Sequence, residues 1–109
     1  MLEGVSALHE FYQKTNFNPK VFNAKVYVKS KKNKKNLFSK DIPIRVIYDG
    51  TSTRIEIYWD EADYEDYADM QLSMAYYAEK PGTKMQFIQS KNLLRIYKQG
   101  SNKIVEIEA

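Results

Sequence analysis

The chain has no cysteine. That absence removes disulfide scaffolds, thiolate nucleophiles, zinc fingers and iron–sulfur sites together. Three prolines and four glycines in 109 residues are too few for a linker or a fibrous repeat. No apolar run approaches the roughly 18–20 residues of a membrane-spanning helix. The start, MLEGVSALHEFYQK, lacks the basic end and apolar stretch of a signal peptide. These absences predict a soluble, cytoplasmic protein with no membrane span.

Catalytic signatures are also lacking. The only histidine, His9, falls at i+4 from Val5 on a helical apolar pattern, where a structural role is the ordinary one. There is no G-x-S-x-G, P-loop, G-x-G-x-x-G or H-E-x-x-H. Asp60, Glu61, Asp63, Glu65, Asp66 and Asp69 form an acidic group without the glycine turn or alternating ligand spacing of a calcium loop. The expectation is a non-enzyme with no catalytic residue, no metal, no cofactor and no small-molecule substrate.

The composition that remains, 43% hydrophobic and 28% charged, is that of one globular domain over residues 1–109. Net charge is only +3, but it is unevenly spread. Residues 1–50 hold ten Lys/Arg against four Asp/Glu, residues 51–80 two against eight, and residues 81–109 five against two. The molecule is therefore electrically polar.

Val5, Leu8, Phe11 and Tyr12 recur at helical steps, and TNFNPK breaks the pattern, giving a helix and turn over residues 1–18. VFNAKVYVK alternates, with Phe22, Ala24, Val26 and Val28 inward. DIPIRVIYDG continues with Ile42, Ile44, Val46 and Tyr48 inward, and Pro43 places the start of that strand at an edge. RIEIYW adds Ile55, Ile57 and Trp59, so residues 20–59 predict a three-stranded meander with a basic loop at 30–40. Residues 60–80 predict an acidic helix across about 60–79, capped by Asp60 and stopped by Pro81-Gly82, although SMAYYAEK also suits a strand. KMQFIQ, LLRIYK and KIVEIEA predict three strands within 84–108, with Glu106 and Glu108 outward as guards of a possible free edge.

The predicted class is α+β, mainly antiparallel: a small OB-like barrel or curved sheet of five to six strands, with an N-terminal helix and one helix between strands 3 and 4. The element order resembles that of the OB-fold. That resemblance implies a ligand face on strands 2 and 3, flanked by the lysine loop on one side and by Ser90, Lys91 and Asn92 on the other.

The outward strand positions interleave bases and rings: Lys25, Tyr27, Lys29, Arg45, Arg54, Tyr58, Arg95 and Tyr97. The loop KSKKNKKNLFSK adds Lys31, Lys32, Lys34 and Lys35, and Lys91 completes the set. Cations for phosphates and flat rings for bases point to single-stranded DNA or RNA. A protein partner, met by the acidic helix and exposed tyrosines, is the alternative, with a phage or mobile-element accessory protein as its type. The Lys-, Asn- and Tyr-rich composition suits a low-GC bacterium, and a homo-oligomer fits as well. A curved sheet carrying a lipid or peptide against its helices is a third reading, and a metal-dependent nuclease on the acidic group a fourth. Leu37 and Phe38 are expected to fold over the open end of the barrel.

Overall fold

A computed structural model describes residues 2–49, 52–60, 62–63 and 72–109. Strand β1 (Leu2–Glu3) leads through Gly4 into helix α1 (Val5–Lys14). Gly4 sits at φ +63°, where a side chain is strained, and its N–H donates to the Met85 carbonyl at 2.9 Å. The helix buries Ala7, Leu8 and Phe11, the stripe its apolar spacing predicts. It ends where Asn16 and Phe17 both take left-handed φ. The Phe17 N–H there bonds back to the Tyr12 carbonyl at 2.9 Å.

The sheet continues as β2 (Phe22–Ser30), β3 (Asn36–Ile47), β4 (Arg54–Ile57), β5 (Ala75–Tyr77), β6 (Thr83–Ile88), β7 (Leu93–Lys98) and β8 (Lys103–Glu108). A 3₁₀ turn, Gln89–Lys91, joins β6 to β7. All eight strands form one antiparallel sheet in the order β1-β6-β7-β8-β2-β3-β4-β5. It curls into a half-barrel around α1. The radius of gyration, 12.8 Å, is near the ~13 Å of a compact chain this long.

The period-two pattern fixes the two faces. Val26, Val28, Ile44, Ile55, Ile57, Met85, Phe87, Leu94, Ile96 and Ile107 all point into the concave side and join the helix in one core. Each fully buried aliphatic or aromatic side chain there stabilises the fold by about 1.5–3 kcal/mol.

The structure corrects the expected architecture in several places. Among the described residues there are eight strands rather than five to six, and two consecutive meanders, β2–β5 and β6–β8, are joined through the non-sequential pair β8 on β2, with β1 added beside β6. This is not the OB-fold order. Of the expected second helix only the cap contacts are described: the Asp60 carboxylate accepts the Asp63 N–H at 3.0 Å, and the Asp63 carboxylate accepts the Asp60 N–H at 3.1 Å. Residues 61 and 64–71 of the predicted span lie outside the described residues. Its predicted end is wrong, because Ala75–Tyr77 is β5, paired with Arg54–Glu56. Burying Tyr76 and completing the ladder of β4 outweighs the local helical spacing.

The basic loop is also shorter than 30–40. Strand β3 already starts at Asn36, so the turn is 31–35. Phe38 packs edge-on to Trp59, with centroids 6.2 Å apart, while Leu37 stays 45% exposed. Only half of that pair folds over the core. Tyr48, expected inward, is exposed and stacks on Tyr12 at 6.0 Å instead. Glu106, expected outward near a free edge, lies on a central strand and is 1% exposed.

Candidate polyanion-binding groove

Alternation places Lys25, Tyr27, Lys29, Arg45, Arg54, Tyr58, Arg95 and Tyr97 together on the convex face, as read from the sequence. Their surroundings are less free than that reading supposed. The Lys29 ammonium stands 2.6 Å from Glu106 Oε1, off the ideal hydrogen-bond direction. Arg95 Nε donates to Glu106 Oε2, also at 2.6 Å. Burial opposes ionisation of Glu106, but the Lys29 and Arg95 charges outweigh it and hold the carboxyl below its usual range. The group is a three-membered salt bridge at the centre of the sheet, one carboxylate shared by two cations.

A second such unit surrounds Glu56. The Tyr58 hydroxyl donates to its Oε1 at 2.7 Å and Arg54 Nε to its Oε2 at 3.3 Å. The Tyr58 bond, more than Arg54, keeps Glu56 below the ordinary carboxylate range against the effect of burial. Arg54 also caps Ser52 through its carbonyl and hydroxyl and lies 5.6 Å over the Tyr77 ring. Arg45 is exposed and donates to the Pro19 carbonyl at 3.2 Å. Lys25 is exposed but stands in register between Asp41 and Glu108. Of the predicted cations on the face, Lys29, Arg54 and Arg95 already have carboxylate partners.

The loop lysines are different. The Lys31 N–H donates to the Asn102 carbonyl at 2.8 Å, which leans the β2–β3 tip onto the β7–β8 turn. Lys34, at φ +60°, places its ammonium 5.7 Å over the Tyr97 ring. Beneath the tip is an open hollow of about 580 Å³ lined by Lys31, Lys84, Lys98, Tyr97, Gln86 and Gln99 among others. It shares Gly82, Thr83, Lys98 and Gln99 with a neighbouring hollow of about 260 Å³ that reaches Lys80 and Ser73. Gly82 sits at φ +89° against the Gln99 side chain, a backbone position that a larger residue would strain.

Lys31, Lys80, Lys84 and Lys98 therefore rim two adjoining hollows at one end of the sheet. The Lys98 ammonium bonds the Ser73 hydroxyl at 3.2 Å, and Lys84 meets Glu3 only at 3.8 Å, with both side chains more than half exposed. Among the described residues no carboxylate pairs with Lys31, Lys80 or Lys98. Three ammonium groups without a carboxylate partner among the described residues, and a fourth only loosely paired with Glu3, concentrate positive charge at this end of the sheet.

Lys32 and Lys35 are exposed on the same tip. Lys91 is not part of this arrangement. It lies on the 3₁₀ turn at the opposite end of β7, roughly 20 Å away for a six-residue strand. Lys80, Lys84 and Lys98 were not singled out from the sequence. The available signal was EKPGTK and YKQGSNK, two glycine turns flanked by lysines. Nothing local says that these turns meet the 31–35 tip.

Asp60 and Asp63, from the acidic group, are used in the helix start and in ion pairs to Lys40 at 3.3 and 2.7 Å. Glu61, Glu65, Asp66 and Asp69 lie outside the described residues. Comparison with known proteins gives no assignment: no family model, no curated protein and no solved structure matches the chain.

Proposed function

We propose that this protein is a non-enzymatic module that binds single-stranded DNA or RNA through its phosphates, along the groove of Lys31, Lys80, Lys84 and Lys98. The observation that carries the reading is the convergence of these lysines from the 31–35 tip, the turn before β6 and the adjoining ends of β6 and β7, where among the described residues only the exposed Glu3 carboxylate reaches one of them, Lys84, at 3.8 Å. The rings contribute less than composition suggested. Tyr27 lies under Lys29, Tyr77 under Arg54, and the Tyr58 hydroxyl is committed to Glu56. Lysines are point charges that follow a phosphate backbone without reading bases, so binding is weakly sequence-dependent.

Fluorescence anisotropy with labelled single-stranded oligonucleotides, from low to high salt, tests the reading. The logarithm of affinity should fall linearly with log salt, with a slope of about −2 to −3 for three to four single-strand phosphate contacts. Absence of binding at low salt would refute it.

A protein partner remains the second reading, for one specific reason. His9, Tyr12, Phe17 and Tyr48 form a surface aromatic cluster with centroid separations of 5.0 to 6.2 Å. Phe17 is held 51% exposed on left-handed backbone. Large exposed rings of this kind anchor interfaces. A complex or dimer that survives high salt, nuclease and dilution would favour this reading over the first.

A further inference from the structure

Of the four convex-face tyrosines with a neighbouring charge, Tyr97 differs in one respect. Lys29, above Tyr27, is held by Glu106, and Arg54, above Tyr77, is held by Glu56. Tyr58 donates its own hydroxyl to Glu56. The ammonium above Tyr97 belongs to Lys34, which is exposed at the hairpin tip and has no carboxylate partner among the described residues. The cover of this ring alone is untethered, and the ring lines the larger hollow.

We propose that this hollow holds one nucleotide of the bound strand, with its phosphate on Lys31 and Lys84 and its base on the Tyr97 ring in place of the Lys34 ammonium. The inference rests on the phosphate-binding reading above. The volume, about 580 Å³, lies within the ordinary range for a small-ligand site. The two lysines come from the hairpin tip and from β6, where Lys84 stands in register with Tyr97, so a phosphate beside the ring meets charge from two sides. Gln86, Gln99 and Thr83 supply donors and acceptors at the walls.

An exposed ammonium–ring contact is weaker than the stacking of a base on the same ring, so the exchange favours the nucleotide. The displaced Lys34 remains close enough to meet the next phosphate. Lys34 thus covers an otherwise apolar ring in the free protein and becomes a phosphate contact in the complex.

The test compares an eight-residue oligothymidylate with an abasic oligomer of equal length. The wild type, Tyr97→Phe, Tyr97→Leu and Lys34→Gln are each measured. The wild type and Tyr97→Phe should prefer the base-bearing strand about tenfold. Tyr97→Leu should lose that preference while keeping its affinity for the abasic strand. Lys34→Gln should bind the abasic strand more weakly and raise the preference at least twofold. An unchanged preference in Tyr97→Leu overturns the subsite.

Should Tyr97→Leu fail to fold, Lys34→Gln decides, because its side chain is exposed: an unchanged preference there overturns the proposal equally. If the wild type binds both strands alike, phosphate binding stands and the nucleotide subsite falls. If it binds neither at low salt, the phosphate-binding reading falls with it.

Discussion

On the convex face Lys29 and Arg95 both lie 2.6 Å from the Glu106 carboxylate, whereas Lys31, just past the end of the same strand as Lys29, has no carboxylate partner among the described residues. Two residues of chain separate a cation that serves the fold from one that is available to a ligand. The first is half-buried over a central strand, where an uncompensated charge is costly. The second stands in water at a turn, where holding an unpaired charge costs little and its field reaches outward. Basic residues on one surface are therefore not one population, and the neighbouring carboxylate tells them apart.

The largest expected effect strikes the fold side of this comparison. Glu106→Gln leaves two half-buried cations without their counter-ion and should lower stability by about 3 kcal/mol, read from urea unfolding. A change below about 0.5 kcal/mol would mean that the buried pair is dispensable and that Lys29 and Arg95 are freer than their geometry indicates. The ligand side should respond in the opposite way. The combined Lys31→Glu, Lys84→Glu and Lys98→Glu variant should bind single-stranded oligonucleotides about 30- to 100-fold more weakly, with a shallower salt slope. Its unfolding midpoint should stay close to that of the wild type, because these side chains are exposed.

The comparison is sharpened by pH. Glu106 has a folded pKa below its unfolded value of about 4.3, so its stabilising contribution is complete above that value. The contribution is lost as pH falls through the lower, folded pKa. Glu56 and Asp60 are shifted in the same direction and add to the acid side of the profile. In Glu106→Gln the decline of stability between roughly pH 5 and pH 2 should be visibly flatter. An identical slope would show that Glu106 is not held in its charged form by its partners.

The smallest expected effect is at Lys91. It is as exposed as the loop lysines but lies at the other end of β7, so Lys91→Ala should change oligonucleotide affinity less than twofold. A loss as large as that of the lysine-groove variant would move the binding face toward the arrangement that the OB-fold resemblance implied.

Much of the fold was legible because strand alternation is a local signal. Ala24, Val26, Val28, Ile42, Ile44, Ile55, Ile57, Met85, Phe87, Ile96 and Ile107 all point where the period of two places them. Tyr48 breaks the pattern because β3 ends at Ile47, and beyond a strand end alternation no longer dictates direction. Ala75–Tyr77 was misread because its three- and four-residue spacing is helical, while its pairing partner lies about twenty residues back in sequence. The site was legible only in part. Lys31, Lys34 and Tyr97 were named from the sequence, but Lys80, Lys84 and Lys98 were not, since each looks like an ordinary turn lysine.

By itself the sequence determined the faces of the strands, the apolar stripe of α1, the cap at Asp60 and the concentration of lysine between residues 29 and 40. These follow from steric and solvation rules acting over a few residues. Only the tertiary structure decided the pairing of β8 with β2 and of β1 with β6, the burial of Glu106 between Lys29 and Arg95, and the meeting of the lysine-bearing turns and strand ends at one end of the sheet. Those features depend on which strands pair across the chain, a choice made by long-range backbone hydrogen bonding and core burial together, and no short stretch of residues encodes it.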